Sequence, residues 1–202
     1  MPLSVVVQPA AEPVSTATAK AHLRVDISTD DTLIGTLITA AREMVERHTR
    51  RSLIYTGYRY TLDYFPGGPI HLPRLPVVSA NASTVFEYAT PRIQYVDQDG
   101  ATQTLTVSTD YELDLAGNPP RIVQPPDVVW PTPKSYKVNA ITIDFVSGYG
   151  SAATDVPALL RQAVLMLVAH WYENREAVGS VGTSVPMAVD SILRIYSAGD
   201  YQ

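Results

Sequence analysis

A chain of 202 residues with 46% apolar content is long enough for one well-cored domain carrying an inserted sub-domain, and too apolar for a disordered segment. Charged residues are only 17%, and the net charge of −5 contains no basic block, Arg47, Arg50 and Arg51 being the densest group; this excludes a protein that grips DNA but not one past which DNA slides. Cysteine is absent, which removes disulfides, Cys-based zinc sites and thiol catalysis and fits a reducing cytoplasm.

The first fifteen residues, MPLSVVVQPAAEPVS, have no charge ahead of a short apolar run, so no signal peptide is expected. Pro9 and Pro13 predict an extended arm, after which Ser15 is placed to cap a short helix through Ala17, Ala19, Ala21 and Leu23. An amphipathic helix follows from about Thr29 to His48. Leu33, Ile34, Leu37, Ile38, Ala41, Met44 and Val45 form its apolar face, and Arg42, Glu43, Glu46 and Arg47 are assigned to the opposite one. Asp30 and Asp31 in its first turn and Arg47 and His48 in its last suit the helix dipole.

The pattern changes near Ser52. Large residues at every second position in Tyr58–Tyr64 predict a half-buried strand, whose tyrosines serve either the core or a contact face. Pro66-Gly67-Gly68-Pro69 is a turn, and Ile70–Ser79, interrupted by Pro73 and Pro76, is an edge or irregular strand. Tyr95–Gly100 and Thr104–Val107 read as a hairpin bending at Asp99-Gly100. Tyr111–Leu115 and Arg121–Gln124 are shorter strands, and the six prolines between Pro119 and Pro133 make that segment mostly loop. Lys137–Val146 is a further strand, leading through Gly148-Tyr149-Gly150 into the helix on which the chain is centred.

That helix occupies Asp155–Glu176. Pro157 suits its first turn and Asp155 its positive end. Leu159, Leu160, Ala163, Val164, Met166, Leu167, Val168 and Trp171 leave polar breaks only at Arg161, Gln162, His170 and Glu173. A helix so apolar must be covered on several sides, by its own domain or by a neighbouring subunit. Its end, Trp171-Tyr172-Glu173-Asn174-Arg175-Glu176, is rich in residue types that anchor interfaces. The apolar run Ala163–Ala169 is too short to span a bilayer. A flexible link, Gly179–Ser184, then precedes a last helix from near Pro186, striped by Val189, Ile192, Leu193 and Tyr196.

The expected architecture is α+β: terminal helices packed as a small bundle, with an antiparallel β-rich sub-domain inserted. Residues 1–51 supply the arm and first helices, 52–150 the β-rich insert and 151–202 the spine helix, link and last helix, in one domain overall.

No catalytic, cofactor or metal residue is assigned. Gly148-Tyr149-Gly150-Ser151-Ala152-Ala153 matches a relaxed dinucleotide fingerprint, but Pro157 delays the helix beyond the glycines and no parallel βαβ unit surrounds it. His170 and Glu173, with Glu176 or Glu46, lack a recognised metal-ligand set and read as ion pairing. His22, His48, His71 and His170 have no GxSxG serine to serve, and Asp97 and Asp99 lack the further ligands of a calcium loop.

Six segments in order are familiar together: Ala19–Asp26; the Asp30-Asp31 helix with Ala40-Ala41-Arg42; Leu72–Val77; Phe145–Gly150; Val156-Pro157; and His170–Glu176. Together they resemble the head–tail connector, or head-completion adaptor, family of tailed bacteriophages, prophages and related phage-like particles such as gene transfer agents. The resemblance implies a non-enzymatic ring of about twelve subunits under the portal, made in the bacterial cytoplasm and resident in the virion neck. Such a ring offers a platform to the stopper or tail-terminator protein and lets DNA through its lumen without specific binding; no membrane and no cofactor is implied. On this basis His170, Trp171, Tyr172, Glu173 and Arg175, with Val189, Ile192, Leu193 and Tyr196, are the expected subunit or portal interface, and residues 179–201 are expected to reach toward the portal. The alternative is a monomeric module holding a carbohydrate or peptide on its tyrosine-rich sheet.

Overall fold

The computed structural model describes residues 3–78, 85–86, 91–174 and 187–197. It is α+β, and its described parts form two compact units. Among the described residues, one takes 10–54, 149–174 and 187–197, the other 3–9, 55–78, 85–86 and 91–148.

The first unit is helical: α1 (Thr16–Leu23), α2 (Asp31–Thr49), α3 (Ala158–Glu173) and α4 (Met187–Tyr196), with a short 3-10 turn at Ala153–Asp155. Ser15 caps α1 as its position predicts, its Oγ accepting from Thr18 N at 3.1 Å. The α2 stripe packs on α3, and Ile34, Ile38, Ala41, Val45, Leu160, Ala163, Val164, Leu167 and Val168 are each 0–1% exposed. At about 1.5–3 kcal/mol for each large buried side chain, this seam is the main stabiliser of the unit. The apolar circumference of α3 is thus largely covered within its own unit, although Leu159 remains 47% exposed.

The polar face assigned to α2 is wrong at two positions, because Arg42 and Glu46 are buried. Arg42 donates through Nε to Glu12 Oε2 (2.8 Å) and through Nη1 to Glu46 Oε2 (3.0 Å), while Glu46 Oε1 accepts from the buried Leu53 N (2.8 Å). The arm before α1 and the segment after α2 both close over this side of the helix. Burial alone would lower the Arg42 pKa, but the attraction of Glu46 and Glu12 outweighs it and raises the value.

The second unit has two antiparallel sheets. The larger orders its strands β1 (Leu3–Val7), β2 (Thr56–Leu62), β8 (Ile141–Ser147), β4 (Arg92–Val96) and β5 (Thr102–Thr104); the smaller orders β3 (Ile70–His71), β7 (Arg121–Val123) and β6 (Glu112–Asp114). The start of the chain is therefore not only an arm: Leu3, Ser4 and Val5 pair with Tyr60, Arg59 and Tyr58. The register Tyr58↔Phe145 and Tyr60↔Ile143 turns both tyrosines inward, where the Tyr58 and Phe145 rings stack at 5.6 Å. On the other face Arg59 grips Asp144 with Nε and Nη2, at 2.7 and 2.9 Å. Ile70, Leu72, Ile93, Tyr111, Ile122 and Ile141 complete the core.

Two strand expectations shorten and the hairpin keeps its bend. Within Ile70–Ser79 only Ile70–His71 is strand, Val77 making a single bridge to Ser147, and Ser79 lies outside the described residues. Lys137–Ala140 is a turn, with Asn139 at φ 55°, so β8 begins at Ile141. The hairpin does bend at Gly100 (φ 91°), where the Asp97 carboxylate accepts from Ala101 N and Gln103 Nε2.

Candidate assembly surface

The sequence pointed to the C-terminal end of α3 and to α4. His170, Trp171 and Tyr172 are half-buried there and Glu173 is exposed. Trp171 and Tyr172 pack against the helical core and remain partly exposed. The Tyr172 hydroxyl donates to Asp30 Oδ2, so the residue at the start of α2 holds the end of α3. Asn174 ends the helix, its N and Nδ2 both donating to His170 O at 3.0 and 2.9 Å. Half-buried aromatic rings on a braced helix end suit an interface anchor, because little conformational entropy remains to be lost on docking. Arg175, Glu176 and the 179–184 link lie outside the described residues.

On α4 the expected stripe faces inward. Val189 and Leu193 are 0% exposed, and Ile192 and Tyr196 are partly buried against the same core, so Val189 and Leu193 serve the core of the subunit before any partner. The apolar residues that α4 does present are Met187 and Ile195, 88% and 72% exposed. The amphipathic reading missed them because they fall on the polar side. Arg51 fixes the helix end by donating from Nε to Tyr196 O (2.8 Å) and from Nη1 to Tyr149 Oη (3.4 Å). Burial raises the Tyr149 pKa, with Arg51 pulling the other way.

The glycine loop before α3 is occupied by the chain itself. Asp155 Oδ2 accepts from Ala152 N at 3.0 Å, and a Cβ on Gly150 would lie 2.1 Å from that oxygen. The helix starts only at Ala158, so its N-terminal amides do not front the loop. Glu46 is engaged by Arg42 and Leu53 N, and among the described residues no three His, Asp or Glu side chains cluster as metal ligands. No helix among these residues is long and apolar enough to cross a membrane. Of the strand tyrosines, Tyr58 and Tyr60 lie in the core and only Tyr64 is exposed.

Several solved structures share this fold. A chain from the virion of a native gene transfer agent particle is 22% identical with a TM-score of 0.79, and one from the neck of an empty particle of this kind, computed with C6 symmetry, is 21% identical with a TM-score of 0.76. A third, from the neck of a native particle computed with C12 symmetry, is 24% identical with a TM-score of 0.72. Each comparison covers 100% of this chain and 98% of the other. No curated protein matches the sequence. The model of the phage gp6-like head–tail connector protein family matches residues 15–90 and 129–196, which include α1, α2, β2, β8, α3 and α4. The chain therefore belongs to the phage gp6-like head–tail connector family.

Proposed function

We propose that this chain is the repeating subunit of a non-enzymatic ring, of about twelve copies, in the neck of a phage or phage-like particle. The ring docks under the portal and offers its far side to the stopper or tail terminator. The observation that carries this reading is the end-to-end likeness in fold to chains of gene transfer agent particles, including a neck computed with C12 symmetry. The net charge of −5 supports passage of DNA through such a ring without capture. The burial of Tyr58 and Tyr60 weakens the alternative of a monomeric module that holds a carbohydrate or peptide on its sheet.

Within the helical unit, the half-buried His170, Trp171 and Tyr172, with Glu173, are the proposed partner contact, joined by the outward Met187 and Ile195. Because Trp171 is only partly buried, Trp171→Ala is expected to cost about 1.5–2.5 kcal/mol, roughly half of a fully buried tryptophan. Such a subunit still folds but fails to join the portal or its neighbours, which sedimentation with portal-bearing heads measures. Normal assembly of the variant would remove Trp171 from the contact. The wider test is electron microscopy of particles from cells lacking the gene. Packaged heads without tails, rescued by added protein, are expected; complete tailed particles would overturn the reading.

A further inference from the structure

One surface of the β unit is not used by any of this. Asp63, Tyr64 and residues Thr132–Val138 enclose an open hollow of about 470 Å³. Tyr64, Tyr136 and Val138 are 72%, 105% and 72% exposed, a concentration of apolar surface rare for residues without a partner. The same short stretch carries two of the chain's three lysines, Lys134 and Lys137. Lys20 is paired with Asp31 at 2.7 Å, but neither Lys134 nor Lys137 has a carboxylate within 4.0 Å among the described residues.

The stretch is also braced. Lys134 N donates to Val96 O (2.8 Å), Gln98 Nε2 to Pro133 O (2.7 Å) and Asn139 N to Asp63 Oδ1 (2.6 Å). Phe65 stacks on Trp130 beside it, ring centres 4.7 Å apart. On this frame Tyr136 sits at φ 59°, a left-handed conformation that a bulky side chain adopts at a cost, and it projects wholly into solvent. A strained, exposed tyrosine between two unpaired lysines gives the folded monomer no evident benefit.

We propose that this hollow receives a carboxylate-bearing surface of a second copy of the chain, so that it forms part of the lateral contact in the ring. The inference rests on the ring reading above. Charge selects the occupant. Each copy has 20 acidic and 15 basic residues, so neighbours repel unless the contact is locally cationic, and every neighbour has surplus carboxylates to offer. Two lysines are too few to hold duplex phosphates, which call for a broad basic face. The aromatic surface around them removes water from the pairing and adds area at small entropic cost.

Zero-length carbodiimide coupling of purified particles tests this, because it joins a lysine amine to a carboxylate only where the two already touch. A covalent dimer of this chain, linked in mass spectrometry through Lys134 or Lys137, is expected, and it should disappear in Lys134→Gln/Lys137→Gln particles. The variant Lys134→Glu/Lys137→Glu should lower the yield of assembled necks at least tenfold. Tyr136→Gly relieves the backbone, so its monomer should melt no lower than the wild type while its ring assembles less well. Coupling of these lysines to another neck protein, or no coupling together with normal assembly of the charge-reversed chain, overturns the proposal. Particles whose necks lack this chain altogether would instead sink the ring reading itself.

Discussion

Glu46 offers the sharpest test of how the helical unit is held together. Replacing it with alanine leaves the buried Leu53 N–H without the acceptor it has at 2.8 Å, at a cost of about 1–3 kcal/mol. Arg42 loses one of its buried partners as well. Breaking a buried ion pair outright costs about 3–5 kcal/mol, but Arg42 keeps Glu12 at 2.8 Å, whose side chain is 33% exposed, so about 1–2 kcal/mol is the reasonable share. The sum is about 3 kcal/mol, or about 6–12 °C in Tm for a chain of this size. Glu46→Gln keeps the volume and one acceptor oxygen, so it should lose about 1–1.5 kcal/mol, chiefly the charge-assisted part of the Arg42 contact. Urea titrations followed by circular dichroism, with calorimetry for Tm, separate the two variants. If Glu46→Ala falls within about 0.5 kcal/mol of the wild type, the network does not bear on stability. If Glu46→Gln costs as much as Glu46→Ala, the charge dominates and the orphaned amide does not.

Two further perturbations probe the loop before α3 and the core of the β unit. Gly150→Ala should destabilise by about 1–3 kcal/mol, because the new Cβ would lie 2.4 Å from Asp155 Cβ as well as 2.1 Å from Oδ2, so backbone must move; a neutral result in a urea titration would refute this packing. Burial, with Asp110 nearby, pushes the Tyr111 pKa from 10.0 up to about 12, and its hydroxyl donates to Pro91 O at 2.8 Å. A raised folded pKa means that its contribution is fully present below pH 10 and is lost as pH rises through about 12. Absorbance titration of the tyrosines should show a late step near pH 12, and Tyr111→Phe should remove that step while the phenols that titrate below it stay; the same titration in both proteins would refute the assignment.

Much of this protein is determined by its sequence alone. The 3.6-residue stripe of α2, the Ser15 cap, the alternation around Tyr58 and the Asp99-Gly100 bend each depend on residues close together in the chain, and all four are found in the fold. The ordered short segments that resemble the connector family are legible there too, and all six fall within the residues that the family model matches. What tertiary structure decided is which face of each element is covered, because the cover comes from far along the chain. Arg42 and Glu46 look solvated in a helical wheel, but Glu12, thirty residues before Arg42, and the backbone of Leu53 bond to them in the interior. Leu3–Val7 becomes a strand only because β2 offers it an edge more than fifty residues away. Period says that Tyr58, Tyr60 and Tyr64 share a side, but the strand ends at Leu62, so Tyr64 leaves the core for the hollow beside Lys134. For the same reason α4 gives Val189 and Leu193 to its own core and leaves Met187 and Ile195 outside: a periodic pattern marks a face as apolar, and the nearest apolar neighbour in space claims it.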